Sequence, residues 1–201
     1  MTPLHLIGGL SLIGIISRRN RRNPRTYTIG KVLKEESGVT ISVNPVDGLD
    51  MGELVASGEI AASPKKISAL LWSMDEYPDW VPRVKDVDTL NESELKRLDY
   101  FVFEAPGGNR DIISEATRSE ADGKIIIKFK QKEGVKYAPK EALTRLTLRQ
   151  GIWELSPSAG GTLVKYKLRA DPGVDMNAKI LQNMAAKGIL ALFSAIKAEV
   201  K

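Results

Sequence analysis

The feature that most constrains the fold is a change of period. From Asp99 to Ala170 the chain is written largely in steps of two, and after one Asp-Pro-Gly it enters a long run without proline. Asp99 to Ala105 sets Phe101 and Phe103 against Tyr100 and Val102. Lys124 to Lys130 sets Ile125, Ile127 and Phe129 against Lys124, Lys128 and Lys130, with Ile126 on the lysine side. Thr162 to Ala170 sets Val164, Tyr166 and Leu168 against Lys165, Lys167 and Arg169. Period two sends alternate side chains to opposite faces of a sheet, so each segment offers one apolar face to a core and one charged face to water. Arg110 to Arg118 reads as a further strand. Thr144 to Leu155 reads as one strand carrying Leu146, Leu148, Trp153 and Leu155, with a bulge at Gly151 where the pattern shifts. Alternation then puts Arg145 and Arg149 together on its outer face; Arg149 could turn inward only if Gly151 or a neighbour makes a bulge. Met176 to Val200 would form a helix roughly 37 Å long at about 1.5 Å per residue. Its apolar side chains include Ile180, Leu181, Met184, Ile189, Leu192, Phe193 and Ile196.

The first half supplies the other elements. Thr26 to Pro45 reads as a hairpin: Tyr27, Ile29 and Val32 lead into a turn at Ser37-Gly38, and Val39, Ile41 and Val43 lead out. Val46 to Met51 is expected as a loop, and Gly52 to Ala61 as a strand with a bulge at Gly58. Ser63-Pro64 starts a helix, with serine as N-cap and proline where no amide hydrogen is needed. Ile67, Leu70, Leu71 and Met74 follow at helical spacing, and the helix ends before Pro78. A hairpin, a helix, a run of antiparallel strands and one long helix make an α+β domain over residues 26–201. The sheet is expected to curve, with the last helix closing its concave side. No internal repeat is visible.

Composition removes several classes of chemistry. The chain has 201 residues and no cysteine, so disulfides, thiolate metal sites and cysteine nucleophiles are excluded. Its one histidine, His5, precedes the domain, which excludes a Ser-His-Asp triad and a histidine zinc site within it. No catalytic residue, metal site or cofactor is expected. The net charge of +5 comes from Arg18, Arg19, Arg21, Arg22 and Arg25; the remaining 25 basic side chains are balanced by 25 acidic ones. The domain therefore has no basic face for nucleic acid. The tail, residues 1–25, joins an apolar stretch (Pro3 to Ile16) to those arginines. The stretch is shorter than the roughly 20 residues of a spanning helix and carries its charge on the wrong side for a signal peptide. It is expected to anchor the protein at an anionic membrane surface, with the domain in the cytoplasm, or else to be a disordered leader on a soluble protein. A monomer is expected.

Five landmarks recur in order: Tyr77-Pro78-Asp79-Trp80 after a helix, Arg110-Asp111 opening a strand, Gly151-Ile152-Trp153, a strand led by Thr162, and Asp171-Pro172-Gly173 before the last helix. This series resembles the START (steroidogenic-acute-regulatory-related lipid transfer) family, of bacterial type, over about residues 26–201. The chain departs from it at Ala105-Pro106-Gly107-Gly108-Asn109, where many members have an aromatic Pro-Trp-Pro, and at Asp175 to Lys179, where many have Pro-x-Trp. The resemblance implies a helix-grip fold: a curved antiparallel sheet wrapped around a long C-terminal helix, with an apolar cavity between them.

The resemblance also implies a ligand site made of inward strand residues and the last helix. The candidates are Phe101, Phe103, Arg110, Ile112, Ile127, Phe129, Trp153 and Tyr166 from the strands, with Met184, Gly188, Ala191, Leu192 and Ala195 from the helix. Ala185, Gly188, Ala191 and Ala195 make a stripe of small residues that leaves volume beneath the helix. Trp80 and Trp153 read first as core residues. Arg110-Asp111 reads first as a salt bridge or loop clamp, and alternatively as an anchor for a ligand headgroup. Non-enzymatic binding and transfer of one apolar lipid (sterol, phospholipid, fatty acid or quinone) is the leading expectation. A polyketide cyclase or dehydratase of the same superfamily, or a quinone- or protein-binding module, is the alternative. Gly107-Gly108, Ala138-Pro139 and the start of the last helix are the candidate gates.

Overall fold

A computed structural model describes residues 30–105, 107–137 and 143–201. The tail, Tyr27, Ile29, Pro106 and the Ala138-Pro139 segment lie outside the described residues. Among the described residues ten strands form one sheet: β1 (Lys31–Glu36), β2 (Val39–Val46), β3 (Leu49–Ile60), β4 (Val84–Glu92), β5 (Lys96–Ala105), β6 (Gly108–Ala121), β7 (Lys124–Gln131), β8 (Thr144–Arg145), β9 (Arg149–Ser158) and β10 (Gly161–Ala170). The helices are α1 (Pro64–Trp72), a four-residue α2 (Tyr77–Trp80) and α3 (Ala178–Glu199). The sheet order is β1-β2-β3-β10-β9-β7-β6-β5-β4, with β8 added to β6. Every pairing is antiparallel except β6–β8. The sheet is curved and α3 closes it, which is the architecture expected from the sequence.

Local chemistry accounts for the helix ends. The Ser63 side chain accepts from the Lys66 amide at 3.2 Å, with Pro64 at the first helical position of α1. The Asn177 side chain accepts from the Lys179 amide at 2.9 Å and starts α3. The predicted Met176 to Val200 helix is thus shortened by its caps. α3 packs chiefly against β1, β2 and β3, while α1 packs against β7 and β9. Phe193 and Ile196 of α3 are fully buried with Ile41, Leu54 and Ala56. The helix therefore seals one half of the trough and stands off the other half.

Four expectations are corrected. First, β4 was not read as a strand. Its register shifts between Val84 and Asp86 and again between Thr89 and Asn91, and those irregularities erase the two-residue period in the sequence. Second, neither Gly58 nor Gly151 is a bulge, since the pairings through both run without a shift. Gly151 serves close approach instead: a Cβ there would collide with the Lys167 carbonyl and the Phe129 ring. Third, the loop expected over Val46 to Met51 is a tight turn at Asp47-Gly48. The register shift in that hairpin lies between Asn44 and Val46, with Gly52 on the facing strand at φ +68°. Fourth, the strand expected over Thr144 to Leu155 is broken between Arg145 and Arg149. Thr144-Arg145 turns away to run parallel with Arg110-Asp111 on β6, and Arg149 begins a separate strand.

Two polar clusters brace the cup. Arg97 on β5 is 1% exposed and binds Asp99 at 2.8 Å, Glu92 at 3.0 Å, Thr89 at 2.9 Å and the Trp72 carbonyl at 2.6 Å. Burial works against its charge, but Asp99, Glu92 and Asp75 outweigh burial and raise its pKa. This network ties the end of α1 to β4 and β5. On the other face, Arg145 pairs with fully buried Asp111 at 2.7 Å. Beside them Tyr100, Val102 and Ile113 form a second small core under Val135, Tyr137 and Leu143. The segment after β7 thus folds back across the outside of the sheet.

Candidate functional site: an apolar cavity between sheet and helix

Where α3 stands off the sheet, a cavity of about 270 Å³ remains. Its floor is Phe101 and Phe103 of β5, Ser114 of β6, Ile127 and Phe129 of β7, Arg149 and Trp153 of β9, and Tyr166 and Leu168 of β10. Leu181, Met184, Ala185, Gly188, Ile189 and Leu192 of α3 form the roof. Leu71, Met74 and Tyr77 line it from the α1–α2 side, and Met51 from β3. The lining also includes Val81, Pro82 and Arg83, the end of β5 at Glu104-Ala105, and Pro172. The volume sits just below the ~300–1,000 Å³ usual for small-molecule sites.

The aromatic floor is layered. Trp153 stacks on Tyr166 with ring centroids 4.0 Å apart, and Phe129 lies near-parallel to Tyr166 at 6.2 Å. All three residues face inward because β7, β9 and β10 pair in register, with Ile127 opposite Trp153 and Trp153 opposite Tyr166. Burial pushes the hydroxyl pKa of Tyr166 and Tyr77 up, and the charge of Arg149 pulls both back in part. Both phenols are neutral near pH 7. Tyr77 donates to the Leu71 carbonyl at 2.6 Å, which holds its ring against Phe101 and Trp80.

Nine of the thirteen sequence-predicted site residues line this cavity: Phe101, Phe103, Ile127, Phe129, Trp153, Tyr166, Met184, Gly188 and Leu192. The other four lie elsewhere. Arg110 is 6% exposed and donates to the carbonyls of Pro172 at 3.2 Å, Gly108 at 3.0 Å and Asn109 at 3.1 Å. It clamps the β5–β6 turn to the Asp171-Pro172-Gly173 segment. Ile112 faces the same side but is 1% exposed and enclosed by the main core. Ala191 is exposed, because about 100° per residue carries it past the cavity-facing arc of α3. Ala195 is half-buried nearly a turn beyond Leu192, the last lining residue of α3. Trp80, read as structural, stays outside the lining and packs edge-on to Tyr77.

Arg149, left off the expected site because alternation puts it outside, lines the cavity without a bulge at Gly151. Its guanidinium lies 4.8 Å from the ring centre of Phe129 and 5.9 Å from that of Phe101, inside the trough. Simple alternation from Leu146 puts it outside. The break after Arg145 resets the phase, so Arg149 joins Gly151, Trp153 and Leu155 on one face. Counting back from Trp153 rather than forward from Leu146 would have found it.

Among the described residues no group of histidine, cysteine or carboxylate side chains is placed to hold a metal ion. No helix among them is long and apolar enough to cross a membrane.

No family model and no curated protein matches the sequence. Solved structures do match. A STAR-related lipid transfer protein from Xanthomonas axonopodis superposes with a TM-score of 0.77 at 21% identity, over 85% of this chain and 98% of its own. Human StAR-related lipid transfer protein 5 gives 0.71 at 13%, over 88% of each chain. The ZhuI aromatase/cyclase from Streptomyces sp. R1128 gives 0.58 at 14%, over 74% of this chain and 92% of its own. At such identities shared geometry is the finding: this chain has the helix-grip fold common to START lipid-transfer domains and START-superfamily cyclases.

Proposed function

We propose that the protein binds one apolar, lipid-like molecule in the cavity beneath α3 and transfers it between membranes without chemical change. The observation that carries this reading is the lining itself: apolar side chains of six strands and three helices surround one empty space. Filling that space with an apolar molecule removes the lining from water, which is favourable at about 25 cal/mol per Å² of apolar surface. The lipid-transfer names of the structures it resembles support the same reading. Admission requires an opening, and Arg83, Ala105 and Pro172 mark the side where the α2–β4 turn, the β5–β6 turn and the approach to α3 meet. The apolar and arginine-rich tail would hold the cup at its membrane source, with the domain in the cytoplasm and the protein monomeric.

A cyclase reading is favoured by one observation, the likeness to an aromatase/cyclase, together with Arg149, Tyr77 and Tyr166 at the cavity wall. Against it, the cavity's one acidic side chain among the described residues is the exposed Glu104, which pairs with Lys85 at 3.2 Å. Native mass spectrometry of freshly purified protein, followed by lipid extraction, separates the readings. A stoichiometric apolar adduct is expected. No adduct after incubation with mixed bilayer lipids would overturn the lipid-carrier reading and leave the cyclase ahead.

A further inference from the structure

The Arg149 guanidinium is the one feature of the cavity that an apolar ligand does not explain. It makes no hydrogen bond and no ion pair among the described residues; its contacts are the faces of Phe129 and Phe101. The carboxylates of β5 and of the start of β6 have other ion-pair partners. Asp99 is held by Arg97, Asp111 by Arg145 on the far face of the sheet, and Glu104 by Lys85. A half-buried cation among aromatic rings loses hydration without gaining a carboxylate, which is unfavourable unless a partner arrives. Tyr166 lines the same cavity as Arg149, stacked against Trp153 and Phe129. A planar guanidinium with a nearby phenol matches the two oxygens of one carboxylate.

We propose that the ligand is an apolar single-chain acid whose carboxylate pairs with Arg149 while its chain lies along Leu181, Met184, Gly188 and Leu192. This rests on the cavity-binding reading above and names the ligand class within it. One observation favours a carboxylate over a phosphate, and a second favours a single chain. Arg149 is the only cation on the floor among the described residues, since Arg83 is exposed near the α2–β4 turn, and a phosphate monoester carries about −1.5 to −2 charge. A space of about 270 Å³ also favours one chain over two.

The test uses the full chain and three fluorescent probes with the same acyl chain and fluorophore: a fatty acid, the corresponding primary alcohol and the alkyl phosphate. The acid is expected to bind about tenfold or more tighter than the alcohol, the scale of a charge-assisted pair. The Arg149→Gln variant is expected to erase that preference, and Arg149→Lys to restore part of it. Unfolding curves of the variants confirm that the fold survives. Equal affinity for acid and alcohol, or a preference that persists in Arg149→Gln, overturns the carboxylate assignment and leaves the apolar cavity standing. Tighter binding of the alkyl phosphate than of the acid replaces carboxylate with phosphate. Failure of all three probes to bind overturns the cavity reading itself.

Discussion

Gly188 gives the sharpest test of whether the space under α3 is real and used. A Cβ built there meets no atom within 4 Å, although the residue sits in the middle of a 22-residue helix. Replacing glycine in a helix interior with a good helix former is worth up to about 1 kcal/mol. A leucine side chain would also leave water for the aromatic floor, adding about 1–2 kcal/mol if it is partly to fully buried. The expected sum for Gly188→Leu is a gain of about 2 kcal/mol, or a rise in melting temperature of roughly 4–8 °C for a domain this size. Its four side-chain carbons, each taking roughly the ~30 Å³ of a water molecule, fill on the order of 100 Å³. That is more than a third of the 270 Å³ available, so ligand affinity should fall by an order of magnitude or more. Gly188→Ala should keep about 1 kcal/mol of the gain and most of the binding. Thermal unfolding and a lipid titration on the same preparations read both quantities. A destabilised Gly188→Leu would refute the open space. A stabilised variant that binds as well as the parent would refute this cavity as the ligand site.

Other perturbations test the supports. Arg97→Met should cost about 3–5 kcal/mol in urea unfolding, because it strands the fully buried Asp99 carboxylate; the double variant with Asp99→Leu should recover much of that loss. Arg110→Ala should cost about 2–4 kcal/mol through its lost carbonyl contacts, with ligand preference unchanged; a change of preference at intact stability would return Arg110 to the ligand site. Glu154 is raised by burial but lowered more by Lys124 and Lys167, so its folded pKa lies below the ordinary 4.5. Its contribution is therefore full above about pH 4.5 and lost as pH falls through the depressed value; Glu154→Gln should flatten the acid limb of the stability curve, and an unchanged limb would show that the lysines do not hold it. Gly151→Ala should destabilise the sheet in thermal unfolding, since the Lys167 carbonyl in its way is backbone and cannot turn aside.

Much of the cup was legible because it is made of period. Val164, Tyr166 and Leu168, or Ile125, Ile127 and Phe129, declare their inward face without reference to any other strand. Ser63-Pro64 declares a helix start from local hydrogen-bond geometry alone. Six of the nine cavity-lining site residues lie on such strand faces, and that they line a ligand site was what the family resemblance implied. The misses have different causes: helix phase for Ala191, irregular pairing for β4 and a partner distant in sequence for Arg110. Arg110 has a charge that suits a headgroup, but one of its carbonyl acceptors, Pro172, lies 62 residues away, and only the folded chain brings the two together. β4 hides its strand character because its pairing with β5 is irregular at two places.

Arg149 shows where the boundary lies. The chain determined on its own that an arginine opens the strand of Trp153. It also determined that the cavity wall would be apolar and that no histidine or cysteine would stand in it. Only the tertiary structure decided which way Arg149 points, because Thr144-Arg145 leaves for β6 and breaks the phase of alternation before Arg149 is reached. A period carries facing information only as far as its strand runs. The pairings that end a strand are made in three dimensions.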